Sequence, residues 1–87
     1  ISKNIMDYLE LSEKYTIAEV KVTDKKFINK TLGELNFRQR FNLNVIGIRR
    51  NNELIISPGP DGLVLDNDGL LVVGETVDVD ALDDQMN

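Results

Sequence analysis

The residues able to do chemistry in this chain are cationic and amide groups gathered between positions 38 and 60. Arg38-Gln39-Arg40 precedes a strand that ends in Arg49-Arg50, and a Ser57-Pro58-Gly59-Pro60 loop follows. A guanidinium is a planar, permanently charged fork of donors that suits carboxylates and phosphates. Proline fixes its own φ, so the loop is preformed. The apolar runs Val45–Ile48 and Leu54–Ile56 flank Asn51-Asn52. Asparagine tolerates positive φ, as a two-residue hairpin turn requires, so residues 44–57 read as a β-hairpin. A buried sheet, cations and a rigid loop in one place form a surface for an anionic ligand. Catalysis is not expected: there is no histidine and no cysteine, no serine beside a candidate base, and no convincing carboxylate pair.

The elements that position these groups belong to one small α+β domain. The chain has 87 residues, of which 41% are apolar. That supports a single thin core, for which oligomerisation is a common remedy. The lack of cysteine removes disulfides and thiolate metal sites. No apolar run approaches the ~20 residues of a membrane helix. The first residue is Ile, with no cationic segment before a hydrophobic one, so the sequence reads as a piece of a longer protein rather than a signal peptide. Ten Lys and Arg and seven acids lie in residues 1–56, a net of +3, whereas residues 57–87 carry eight acids and no base, a net of −8. The acidic part reads as a solvated surface, and the basic part as the one that meets an anion. A pI near 4.5 and few aromatics disfavour nucleic-acid binding.

Residues 1–15 read as a lead-in, with an extended stretch or a helical turn over Met6–Leu11. Thr16–Val22 alternates as a half-buried strand. Phe27-Ile28 reads as an apolar pair in a loop. Thr31 and Glu34 form a capping box that opens one helix running to Gln39 or Arg40. The strand Asn44–Arg50 places Ile46 and Ile48 on one face and Val45, Gly47 and Arg49 on the other. Gly47 implies close approach of another backbone or a ligand. Glu53–Ser57 returns, Asp66-Asn67-Asp68-Gly69 is a turn rather than a calcium loop, and Leu70–Gly74 is a buried strand. Thr76 caps a last helix to Met86, with Val77, Ala81 and Leu82 inward. The expected order is β-α-β-β-β-α. If its first two strands are parallel neighbours, their crossover is right-handed.

Five blocks in order, Ala18-Glu19-Val20, Lys30–Leu35, Val45–Arg50, Ile56–Pro60 and Asp68–Gly74, resemble the TrkA-C domain, the C-terminal lobe of RCK regulators of potassium transport. The lead-in Asn4–Ser12 is similar to that of KtrA-type subunits of Ktr uptake systems in Gram-positive bacteria. The resemblance implies residues 1–15 as a linker from an N-terminal Rossmann lobe, the site of ATP or ADP, and residues 16–87 as the ligand-binding lobe. It implies a cytoplasmic regulatory subunit without enzymatic activity, a homodimer within an octameric ring, and a membrane potassium-channel subunit as partner, with no direct membrane insertion. The ligand it implies is cyclic di-AMP, bound across the twofold axis to inhibit potassium uptake, with no other cofactor in this fragment.

The residues suit such a ligand. Ile28, Leu32 and Pro58 supply an apolar wall, Asn29, Asn42 and Asn44 pair with base edges or phosphate oxygens, Arg38 meets a phosphate, and Leu43 is a further candidate contact between the two asparagines. Amides at the helix start near Thr31 add positive potential. The plainer alternatives stay open. Arg38 and Arg40 also fit solvated helix ends, Asn42 and Asn44 turn residues, Ile28 and Leu32 core packing, and Pro58 a strand stop. Arg49 and Arg50 fit hairpin-end surface charges. The alternative for the whole is a structural dimerisation lobe without a ligand, using Phe27, Ile28 and Phe41 as its interface.

Overall fold

In the computed structural model, which describes residues 4–87, the chain builds one five-stranded antiparallel sheet with helices on one face. The elements are β1 (Ile5–Glu10), β2 (Tyr15–Lys21), α1 (Leu32–Leu35), α2 (Phe37–Phe41), β3 (Leu43–Arg50), β4 (Glu53–Ile56), β5 (Gly69–Glu75) and α3 (Thr76–Met86). The strand order is β1-β2-β5-β3-β4. The last strand therefore sits between β2 and β3 and pairs antiparallel with both. β2 and β3 run parallel to each other but are not neighbours, so the conditional handedness rule does not apply to them.

The α+β class is as the sequence predicts, with two differences in element count. The extended lead-in is the edge strand β1, paired with β2. The single expected helix is two short ones. Asn36 adopts a left-handed conformation at φ 51° and closes α1 by donating its amide to the Leu32 carbonyl. Asparagine enters that region at low cost, so the chain turns and restarts at Phe37.

Alternation along the strands places the core on the helical face. Ala18, Val20 and Val22 meet Leu70 and Val72, with Leu43, Ile48, Val79, Leu82 and Met86 around them. Phe27 is not a loop-exposed residue: it is buried, and its ring packs against Phe37 and Phe41 at centroid distances of 6.0 and 5.8 Å. Aromatic burial outweighs the polar surroundings of Phe27 in the sequence. The inner face of α3 also differs from expectation. Val79, Leu82, Asp83 and Met86 point inward, while Val77 is 69% exposed and Ala81 is exposed. Thr76 does not cap the helix; its hydroxyl meets that of Thr16 at 2.7 Å. The helix is thus rotated from the phase that a Thr76 cap would set.

A β-bulge corrects the facing of β3. The register to β5 shifts between Val45 and Gly47, so Ile46 is the extra residue. Val45 and Ile48 both face the core, whereas Ile46 is exposed. One inserted residue reverses the alternation beyond it. Gly47 is closely approached, as its position mid-strand predicts: a Cβ there would lie 3.2 Å from the Ile55 carbonyl oxygen. Among the described residues no helix is long and apolar enough to cross a membrane.

Arg50 is not a free hairpin-end charge. Its Nε and Nη2 donate to the two carboxylate oxygens of Asp68 at 2.9 and 2.8 Å. Asp68 is 1% exposed, and the Leu65 amide also donates to it at 2.8 Å. Asp68 therefore does more than shape a turn. Donating these hydrogen bonds to the Asp68 carboxylate pushes the Arg50 pKa above its ordinary value. Removing one partner strands the other, and a buried charge without a partner is costly. Arg50→Ala is expected to lower unfolding stability by about 3 kcal/mol, read by urea denaturation. A loss within the ~0.5 kcal/mol of an ordinary surface substitution would show that the pair carries no structural weight.

Candidate functional site

The loop between β4 and β5 leaves the sheet at Ser57, which takes a left-handed φ of 51°. The Ser57 amide still reaches the Ile46 carbonyl at 3.0 Å. The chain then folds across the start of α1. The amides of Leu32 and Gly33 donate to the carbonyls of Gly62 and Pro60, each at 2.9 Å. Gly33 permits this approach, since a Cβ there would lie 3.1 Å from the Pro60 oxygen. Farther along, Leu63 forms a bridge with Thr31. The Val64 amide donates to Lys30 at 2.9 Å, and that of Asn29 to Val64 at 2.7 Å.

Between this loop, the two short helices and the first half of β3 lies an open cleft of ≈ 240 Å³. Leu32, Pro58 and Val45 give it apolar walls, and Arg38 and Asn44 give it polar ones. The Arg38 Nη1 donates to Asn44 Oδ1 at 3.0 Å. Both side chains are exposed, and among the described residues the other N–H groups of Arg38 have no protein partner. The pair thus offers a positioned guanidinium and a free amide NH2 beside an apolar wall, which fits a planar base joined to an anion.

Of the eight residues singled out in the sequence, Leu32, Arg38, Leu43, Asn44 and Pro58 line this cleft. Asn42 lines an adjoining one of ≈ 360 Å³ together with Arg38 and Asn44, and its Nδ2 donates to Asp78 at 3.1 Å. Ile28 and Asn29 line neither. Ile28 packs against the core, and Asn29 is an exposed left-handed turn residue at φ 64°. Gly33, Asn36, Phe37, Val45, Gly59 and Pro60 also line the cleft. The left-handed break at Asn36 and the Gly33–Pro60 contact place several of them there, and both arise from folding rather than from a local motif. Arg40 lies over the Phe41 ring at 5.3 Å, a cation–π contact.

The amides at the start of α1 do not add free positive potential to the cleft, because the loop carbonyls and the capping box occupy them. The box itself is as the sequence predicts. The Glu34 amide donates to Thr31 Oγ1, and the Thr31 amide to Glu34 Oε1 at 3.0 Å. That amide, followed by the Thr31 hydroxyl, holds the Glu34 carboxyl below its ordinary 4.5. A carboxyl with a depressed folded pKa stabilises the fold above its unfolded value and loses that contribution as pH falls through the folded one.

A family model described as the TrkA-C domain matches residues 17–87. The Ktr system potassium uptake protein C of Bacillus subtilis is 34% identical over 79 residues, 91% of this chain and 35% of that relative. The chain therefore spans about a third of the length of the curated relatives it matches. Among solved structures, the KtrA RCK C domain in complex with cyclic di-AMP is 28% identical, with a TM-score of 0.75 over 82% of each chain. The RCK_C domain dimer of S. agalactiae BusR in complex with the same nucleotide is 29% identical, with a TM-score of 0.68 over 75% of this chain and 86% of that one.

In an NMR titration, the Glu34 carboxyl should report a midpoint below 4.5, with the Thr31 amide signal moving in step. A midpoint at or above that value would show that the box is open in solution.

Proposed function

Because the chain belongs to the TrkA-C domain family, the regulatory lobe of potassium-transport systems, we propose that it binds cyclic di-AMP across a homodimer twofold axis and thereby inhibits potassium uptake. The observation that carries this reading is the Arg38–Asn44 pair set beside the Leu32 and Pro58 walls. One adenine fits against the apolar wall, its edge reaches the amide of Asn44, and a phosphate reaches the unused donors of Arg38. Asn42 stands next to this half-site. The cleft of ≈ 240 Å³ is smaller than the ~300–1,000 Å³ typical of a whole ligand. A twofold-symmetric dinucleotide offers the same face to two copies, so each cleft serves as half a site.

The ligand acts by population shift. Bridging two lobes favours the arrangement in which both half-sites face it, by as much as its affinity differs between arrangements. In a longer protein, with residues 1–15 leading from a nucleotide-binding Rossmann lobe, that bias passes through an octameric ring to a membrane channel subunit on the cytoplasmic side. Two solved relatives in complex with cyclic di-AMP support the ligand assignment. The domain itself is regulatory rather than catalytic.

Calorimetric titration with cyclic di-AMP, cyclic di-GMP and ATP in parallel is expected to give about one cyclic di-AMP per two chains, with the other two much weaker. A charge-assisted hydrogen bond contributes about 1.5–3 kcal/mol, so Arg38→Ala should weaken binding ~10- to 100-fold. No heat at high concentration would instead favour a dimerisation lobe without this ligand, and one ligand per chain or an Arg38→Ala variant that binds normally would rule out the shared half-site.

A further inference from the structure

The face of the sheet away from the helices carries a second group of charged side chains, at the end of β3 remote from the proline-loop cleft. Val20 and Ile48 are buried on the helical side, so alternation turns Glu19, Lys21 and Arg49 to the open side. Lys21 and Arg49 both pair with Gly69 of β5, one from each flanking strand. Their backbones lie two strand spacings apart, ~10 Å, and the residue between them has no side chain. Two long side chains can close that gap on one small group.

Glu19 sets the arginine. Its Oε1 accepts from Arg49 Nε at 2.9 Å, and its side chain is only 16% exposed. The contact is single, unlike the two-point pairing of Arg50 with Asp68. Nη1 and Nη2 of Arg49 have no hydrogen-bond partner among the described residues, and the side chain is 43% exposed. Lys21 forms no ion pair among the described residues. The glutamate therefore holds the guanidinium by its inner nitrogen and leaves the outer fork of donors for an oxyanion.

Amides complete the cleft. Two turns meet at the ends of the neighbouring strands β3 and β5, and both use left-handed asparagines: Asn51 and Asn52 in one, Asn67 in the other. All three line the same ≈ 240 Å³ cleft as Lys21 and Arg49, and their side chains have no hydrogen-bond partner among the described residues. Met6, the extra residue at the register shift of β1, adds an apolar flank. The cleft holds two cations against one acid, a net of +1 in a chain of net charge −5. Asp7 lines the neighbouring hollow, beside Ile17 and Leu71.

We propose that this cleft is a second ligand site, for the terminal phosphate of a small hydroxylated molecule. A terminal phosphate has three acceptor oxygens, so Lys21 and the Arg49 fork can hold it from two sides. The asparagine amides then pair with hydroxyls next to it. A phosphodiester offers two free oxygens and suits the arrangement less well. Five residues of β3, ~16 Å at ~3.3 Å per residue, separate Arg49 from Asn44. The site is therefore distinct from the proposed cyclic di-AMP half-site and does not rest on that reading.

An NMR titration of nucleotide-free protein tests the proposal with two probes, inorganic phosphate and glycerol 3-phosphate, at an ionic strength matched with sodium chloride. Both are expected to shift the Gly69 amide, the Arg49 Nε–H and the side-chain amides of Asn51, Asn52 and Asn67. Glycerol 3-phosphate should bind several-fold tighter, because only its hydroxyls reach the asparagines. Lys21→Gln should raise the Kd for either probe roughly tenfold, and Lys21→Arg should restore most of the loss. Lys21 has no ion-pair partner to strand, so the variant should keep a native amide spectrum; Arg49→Gln gives a second reading of the same loss. Shifts reproduced by chloride alone, equal affinity for the two probes, shifts confined to Gly33 and Gly59, or a folded Lys21→Gln variant that binds like the parent would overturn the proposal.

Discussion

The Arg50–Asp68 ion pair organises the side of this domain that carries the proline-loop cleft. It joins the end of β3 to the turn before β5, and Arg50 Nη2 also donates to the Leu63 carbonyl at 2.8 Å. Leu63 in turn bridges to Thr31, and the neighbouring Val64 and Asn29 amides secure the segment before α1. The loop carrying Pro58, Gly59 and Pro60 is anchored at one end by the Ser57–Ile46 hydrogen bond and at the other by this chain of contacts. Its carbonyls then hold α1 in place. A bidentate pair with one buried partner is a geometrically specific clamp. Its consequence here is the shape of the cleft wall.

A second pair acts on the open face of the sheet. Arg49 Nε donates to Glu19 Oε1 at 2.9 Å, spanning β5 from β3 to β2. The glutamate crosses above Gly69, where an added Cβ would lie 2.5 Å from its carboxylate oxygen. Glycine at that position is a requirement of the span rather than of a turn. With β5 in the middle of the sheet, both arginines at the end of the hairpin are used to fasten neighbouring segments. Arg38 presents its charge to the cleft beside the proline loop.

What the sequence makes legible is local. Two asparagines between apolar runs give the hairpin turn, Thr31 with Glu34 gives the capping box, and the alternation of Thr16–Val22 gives a strand. What it hides depends on the rest of the fold. The bulge at Ile46 exists because β3 must match β5 on one side and β4 on the other. Asn36 looks like any polar residue on a helix until its left-handed backbone divides that helix in two. The phase of α3 is decided by the sheet it covers, so Val79 and Met86 turn inward and Val77 outward. Asp68 sits in a stretch that reads as a turn, and its burial becomes apparent only when Arg50 reaches it. In the candidate site, the residues near β3 and the proline loop converge. Ile28 and Asn29 do not, because the bridge at Leu63 draws that segment toward the core.

The central claim is that the cleft between the proline loop, the short helices and the start of β3 is half of a cyclic di-AMP site. Amide chemical-shift mapping during a titration with that nucleotide tests it most directly. The account predicts shifts concentrated at Gly33, Arg38, Asn44, Val45 and Gly59, saturating at one ligand per two chains. Shifts centred on the open face around Lys21 and Arg49, or none at saturating nucleotide, would contradict it.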